Sequence, residues 1–450
     1  MKTESSSVTR TACLLTFAFV ASAYAPPSAA SKAPERPAVR SGGEYGTPKL
    51  PPPNATPSAI HFSKVIGWPE GKTPVAPPGF KVTLYADRLD YPRWLYVLPN
   101  GDVLAAESRT EPKQKGGEPG QNEIERGMIE SGVVGKSANR ITLLRDANHD
   151  GIPELRSAFL TGLNQQMGMA LRGDTFYVAN TDSVLVFPYR TGETQITAKG
   201  RKILDLPAGG YNNHWNRNLL FKPDGSKLLI AVGSDSNVGE HGMDNEHRRA
   251  CILEVNPDGS GERVYASGLR NPQGLDFEPV TGVLWTAVNE RDELGDELVP
   301  DFITSVREGG FYGWPYSYFG QHEDPRRKGE RPDLVAKAIV PDYAVGAHTA
   351  SLGLAFYKGT AFPETYRGGA FVGQHGSWNR STLAGYKVLF VPFKGGKPNG
   401  PAQDFLTGFI VGEGKREVYG RPVGLAVLPD GSLLVADDAG GKIWRVSAVR

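Results

Sequence analysis

Cysteine is almost missing from this chain: Cys13 and Cys251 are the two among 450 residues. So few thiols exclude a disulfide framework, and the fold must rely on a buried apolar core. Cys251 lies in the strand-like run Ala-Cys-Ile-Leu-Glu-Val, where a thiol reads as buried and inert. Long hydrophobic runs are missing too. The apolar run from Ala12 to Val20 has nine residues, whereas a bilayer span needs roughly 20. Excess charge of either sign is absent, with Lys+Arg 50 against Asp+Glu 49. Nothing therefore steers the chain towards nucleic acid or an anionic membrane. There is no Gly-rich nucleotide loop, Gly-x-Ser-x-Gly elbow, Cys-x-x-Cys-His haem site or His-Glu-x-x-His zinc site. Phosphate cofactors, haem and covalent serine catalysis thus lack their sequence signs.

What is present begins with an export signal. Arg10 precedes the apolar run, and Ala-Ser-Ala-Tyr-Ala follows at 21–25. Together they read as a cleavable secretory signal over residues 1–30, which places the mature protein in the periplasm or outside the cell. Its removal takes away Lys2, Glu4, Arg10 and Cys13, leaving equal numbers of basic and acidic side chains. Residues 31–79 are rich in Pro, Ala, Ser and Gly. Such a composition buries little surface and reads as a tether, its last part laid over the first repeat unit.

From Phe80 the texture becomes strand and turn. One motif recurs: a short apolar strand, a Pro/Asp/Gly turn, and a second apolar strand ending in a small residue. Copies occupy 95–106, 168–179, 219–231, 274–287 and 424–436, with a looser one at 353–357 resuming at 369–373. Each copy is a hairpin that cannot bury both faces alone. The intervals leave room for two more strands, such as 81–85, 140–144, 250–255 and 442–446. Four-stranded units repeated radially predict an all-β fold, a six-bladed β-propeller over residues 80–450. A β-sandwich does not explain six copies in one phase.

The polar motifs fall beside these repeats. Asn212-Asn213-His214-Trp215-Asn216-Arg217 precedes the third first-strand, and a neutral imidazole there can accept a proton. Arg270-Asn271 precedes the fourth, offering a rigid fork of donors and an amide. The stretch from Asn289 to Glu297 is rich in oxygen ligands that suit a hard cation. Asp146-Ala-Asn148-His-Asp150-Gly151 has the start of a calcium loop, with Ser157 where the bidentate glutamate would fall. A hairpin turn explains it as well. Gly309-Gly310-Phe311-Tyr312-Gly313-Trp314-Pro315 could line a pocket for a flat ring or plug the space between blades. His375, Arg380 and Arg421 lie at a strand end of the fifth unit and before the sixth, and add basic groups.

Taken together, Leu269-Arg-Asn-Pro-Gln-Gly274 and, some 40 residues on, Gly310-Phe-Tyr-Gly-Trp-Pro315 make the chain resemble the soluble pyrroloquinoline quinone (PQQ)-dependent sugar dehydrogenases. The sorbosone and pyranose dehydrogenase-like branch is the nearest, and the resemblance covers roughly residues 75–450. It implies a six-bladed propeller, a sugar substrate, PQQ, calcium and an external electron acceptor. His214 is implied as the base that takes the substrate hydroxyl proton. Arg270 and Asn271 are implied to contact the quinone, and Arg421 to bind its carboxylates. Gln165 or Gln166 corresponds to the glutamine of the site. The family's cofactor-binding lysine is missing, and His375 or Arg380 is implied as its substitute. Glu290 and Arg291 lie where the family offers carbonyls to calcium, although the usual Gly-Pro is absent. Two other functions remain open. One is a propeller that has lost its cofactor and binds a carbohydrate or protein partner. The other is a calcium-dependent lactonase, which wants a carboxylate cluster in the channel rather than arginines.

Overall fold

The structure is a computed structural model describing residues 45–112 and 123–449. The expected signal, residues 1–30, lies outside the described residues. Six four-stranded antiparallel sheets form the blades of a β-propeller. Their innermost strands are Pro92–Val97, Met169–Arg172, Arg217–Phe221, Pro272–Phe277, Ser351–Phe356 and Pro422–Val427. Each of the repeats seen in the sequence is the inner hairpin of one blade. Blades 1 to 5 take their four strands in chain order. Blade 6 does not: its outermost strand is Phe80–Ala86, which pairs antiparallel with Lys442–Ala448. The first strand of the propeller thus closes the ring against the last.

The recurring turn has a local cause. Gly101, Gly225 and Gly431 hold φ of 89°, 67° and 83° at equivalent places in blades 1, 3 and 6. That region is open to glycine at little cost. The Asn or Asp one residue earlier caps the turn: Asn100, Asp224 and Asp430 each accept a backbone N–H two residues on. Such Asx turns fix the hairpin before any packing is made. The second strands Val103–Glu107, Leu228–Val232, Leu284–Val288 and Leu433–Asp437 are buried throughout. Their residues face neighbouring sheets on both sides, so they read as continuous apolar runs rather than alternations. Among the described residues, six apolar clusters each fill the gap between two adjacent blades.

Residues 45–79 form a strap, not a free tether. Tyr45–Gly46 adds a fifth strand to blade 4. Asn54 N–H then donates to Leu294 O at 2.8 Å, and His61 N–H to Trp378 O at 2.7 Å. Phe62 stacks on Trp378 with centroids 5.3 Å apart and 17° between planes. Lys64–Val65 pairs in parallel with Glu417–Val418. The strap therefore runs over the loops of blades 4, 5 and 6, and touches the blade 1 loop where Phe62 meets Gly127. Pro-rich sequence tolerates this course because an extended strap needs few ladder bonds.

The strap makes a stability prediction. Phe62→Ala should cost about 3 kcal/mol in denaturant unfolding, whereas Ile60→Ala, at a side chain 44% exposed, should stay within about 0.5 kcal/mol.

Candidate functional site

In each blade the loop before the inner strand and the loop after the second strand open at the same end. His214 lies on a loop of the first kind entering blade 3, Arg270 and Asn271 on that entering blade 4, and Arg421 on that entering blade 6. Glu290, Arg291, His375 and Arg380 lie on loops of the second kind in blades 4 and 5. The topology thus gathers them around one mouth.

His214 is buried, and its Nδ1 lies 3.0 Å from Ser234 O and 2.9 Å from Ser234 Oγ. The Ser234 hydroxyl donates to Ser236 O at 2.6 Å. Both atoms facing Nδ1 are therefore acceptors, which assigns the ring proton to Nδ1 and leaves Nε2 with its lone pair. Burial, then the charge of Arg270, holds the imidazole well below its usual pKa, so it is neutral at pH 7. Gly233 fits between His214 and Asn271. A Cβ there would come within 2.5 Å of His214 Cβ and against Asn271 Oδ1.

Arg270 is held on every side. Its Nε donates to Asn237 O at 3.1 Å, Nη1 to Glu290 O at 2.6 Å, and Nη2 to Asn237 Oδ1 at 2.9 Å. Asp292 Oδ2 is 3.3 Å away. Asp292 in turn faces His348 Nδ1 at 3.2 Å, and His348 Nε2 donates to Gly295 O at 2.8 Å. Burial opposes ionisation of Asp292, but His348 and Arg270 outweigh it and hold the carboxyl low. The same bond and charge raise His348 against its own burial. Asn271 Oδ1 accepts from Gln273 Nε2 at 2.6 Å.

On the other side of the mouth, Arg421 Nε donates to His375 O at 3.0 Å and its Nη2 to Gly376 O at 3.2 Å. His375 Nε2 sits 2.8 Å from Asp438 Oδ2 and 3.2 Å from Arg93 Nη1. Arg93 donates to Asp438 at 2.7 Å, and its guanidinium lies over the Trp215 ring, 5.9 Å from the centroid. Arg93 thereby links the Arg421 side of the mouth to the residue after His214. Burial and the charge of Arg421 press His375 down to about 3. Burial alone would raise Asp438, but His375, Arg93 and Arg421 bring it to about 2.

The remaining expected residues are placed as follows. Gln166 is fully buried, its amide donates to Glu107 O at 3.2 Å, and its Oε1 has no hydrogen-bond partner. Gln165 is turned aside and donates to Arg109 O at 2.9 Å. Arg380 pairs with Glu297 at 2.6 Å and does not join His375 or Arg421. Glu290 is buried, with a carboxyl raised to about 7 chiefly by that burial. The Arg291 side chain lies 3.0 Å from Asp324. Among the described residues, the three carboxylates close enough to share a metal are Asp146, Asp150 and Glu154. They sit in the hairpin between Arg140–Arg145 and Leu155–Leu160, at the end of blade 1 away from the mouth. In the aromatic loop, Tyr312 joins the core between blades 3 and 4, and the Trp314 indole donates to Asn237 O at 2.9 Å.

Sequence motifs missed Arg93, His348 and Asp438, and read Asp292 only as part of the oxygen-rich stretch 289–297. Arg93 is hidden inside a strand-like run, Asp438 lies in the turn just after a second strand, and His348 stands alone in a loop. The repeat phase could have found His348, since it too lies just before an inner strand.

The family model for glucose/sorbosone dehydrogenase matches residues 179–377, which carry His214, Arg270, His348 and His375. The chain belongs to the glucose/sorbosone dehydrogenase family. A second family model, described as TrAA12-like, matches residues 329–449 and includes Arg421. An uncharacterized protein of Borreliella burgdorferi is 30% identical over 294 residues, covering 63% of this chain and 76% of its own. The aldose sugar dehydrogenase YliI of Escherichia coli is 28% identical over 176 residues, 35% of this chain and 44% of its own. The holo form of the pyranose dehydrogenase PQQ domain from Coprinopsis cinerea superposes with a TM-score of 0.65 at 21% identity. That match covers 86% of this chain and 100% of that one. At that identity the likeness speaks for the shared family fold.

The packing at Gly233 is directly testable. Gly233→Ala should cost about 1–3 kcal/mol by overpacking. Gly412→Ala, where an added Cβ meets only Lys415 at 3.6 Å, should stay within about 0.5 kcal/mol in the same urea titration.

Proposed function

We propose that this chain is an exported quinoprotein that oxidises a sugar with PQQ held at the propeller mouth. The observation that carries this reading is the state of His214: neutral, with its proton fixed on Nδ1 and its Nε2 lone pair available. The residues present also fit an anionic, planar group. Arg93, Arg270 and Arg421 border one mouth, and two buried polar atoms there, Arg93 Nε and Gln166 Oε1, lack partners. Arg93, Arg421 and His375 would hold the carboxylates, with Gln166 and Asn271 on the ring edges. Gln165 and Arg380 are set aside from this role by their contacts.

When bound, PQQ supplies the acceptor for the hydride lost by the sugar carbon. The chain supplies the rest. His214 Nε2 takes the hydroxyl proton, while the Ser234 carbonyl keeps the ring from turning. Arg270, locked by Asn237 and the Glu290 carbonyl, places a fixed positive charge where negative charge develops. An external electron acceptor then completes the cycle. Calcium at Glu290 and Arg291 fits less well. The Glu290 carbonyl is already bonded to Arg270, its carboxyl is raised to about 7, and Arg291 faces Asp324.

The test is reconstitution with PQQ, with and without calcium, followed by aldoses and an artificial acceptor. His214→Ala should lower kcat by about 10²- to 10⁴-fold and leave PQQ binding in equilibrium dialysis unchanged. Arg421→Ala should instead weaken PQQ. Failure to bind PQQ at micromolar levels would sink the proposal and favour a carbohydrate-binding propeller without a cofactor. The pH profile gives an independent check. Because His214 stays unprotonated below its usual 6.5, the acid limb of kcat/KM should fall below pH 6.5. An acid limb above pH 6.5 would remove His214 as the base.

A further inference from the structure

A cavity of about 730 Å³ lies to one side of the mouth, over blade 3. The two loops that hold His214 also build its walls. Tyr211 lies three residues before His214, and Asp235 follows Ser234, the partner of His214 Nδ1. His241, Asn245, His247 and Arg249, from the loop after the second strand, complete the lining used here.

The chemistry of this lining is specific. Asp235 Oδ1 accepts the Asn212 N–H at 2.6 Å, and the Asp235 N–H donates to Glu246 at 2.8 Å. Arg249 Nη1 donates to Asn212 Oδ1 at 3.0 Å, and its Nη2 is 3.9 Å from Asp235 Oδ1. A carboxylate and a guanidinium thus stand side by side, both oriented by Asn212. Beside them Tyr211 and His241 meet edge to face, with centroids 4.4 Å apart and 75° between planes. A fixed acceptor next to a fixed donor suits adjacent hydroxyl groups, and the ring wall suits the C–H face of a pyranose. A phosphate would meet Asp235 and Asp244, and a cation would meet Arg249. The ligand class is therefore neutral and polyhydroxylated. The volume falls within the range of about 300–1,000 Å³ that holds drug-sized ligands, more than one pyranose ring fills.

We propose that this cavity is a second sugar subsite, so that the chain prefers a disaccharide or longer saccharide whose reacting end lies at His214. This rests on the dehydrogenase reading above, but its binding arm does not need the cofactor. Glucose, maltose and cellobiose would be compared twice: by calorimetric titration of the cofactor-free protein, and by kcat/KM of the PQQ-loaded enzyme. A disaccharide should bind at least tenfold more tightly than glucose and show a correspondingly higher kcat/KM. His241→Ala and Tyr211→Ala should each lower the disaccharide-to-glucose ratio about tenfold. His241 is partly exposed, so its variant guards against a folding failure at Tyr211. If glucose is oxidised but the ratio stays near one, or neither variant moves it, the subsite is refuted and the dehydrogenase reading stands. If no sugar is oxidised but cellobiose binds and the variants abolish it, the dehydrogenase reading fails and the subsite stands.

Discussion

The antiparallel pairing of Phe80–Ala86 with Lys442–Ala448 is the interaction on which the rest depends. A blade is a twisted sheet with two faces, and here both are apolar. Each face is covered only by the next blade, so an open row would leave two faces and one sheet edge uncovered. Joining the ends of the chain removes all three at once. The strap reinforces the same closure. The Trp68 indole donates to Asp437 at 2.6 Å and packs edge-on against Trp444 in blade 6.

Closure has an electrostatic consequence at the mouth. Arg93, Arg217, Arg270, Arg291 and Arg421 are all buried there. Buried charge is costly unless paired and hydrogen-bonded. Arg93 and Arg291 are offset by Asp438 and Asp324, whereas Arg270 and Arg421 rely largely on backbone carbonyls. Arg217 holds the His214 loop through His214 O at 2.6 Å and Pro207 O at 2.6 Å, and burial draws it down to about 9. Burial, reinforced by the charges of Arg270 and Arg421, keeps His214 and His375 neutral. The mouth thus gathers buried positive charge without any excess charge on the chain as a whole.

Much of the scaffold was legible in the sequence. The hairpins of blades 1, 3 and 6 announced themselves because each has a glycine at positive φ and an Asn or Asp cap, requirements of the local backbone. His214, Arg270 and Arg421 were legible for a related reason. Each lies directly before an inner strand, so repeat phase fixes the end of the propeller it reaches. The strap was misread as a tether because its contacts lie hundreds of residues away, at Leu294, Trp378 and Val418, and composition carries no trace of them.

What the sequence determined by itself was the number of blades, the position of each hairpin and the loops that meet at one mouth, since turn chemistry and strand periodicity are local. Only the tertiary structure decided which side chains face one another. Gln166 rather than Gln165 is the buried one, Arg380 turns to Glu297, and Arg93 crosses to Asp438. These partners are set by how neighbouring blades pack, and a one-residue change of register in a loop or strand redirects the side chain entirely.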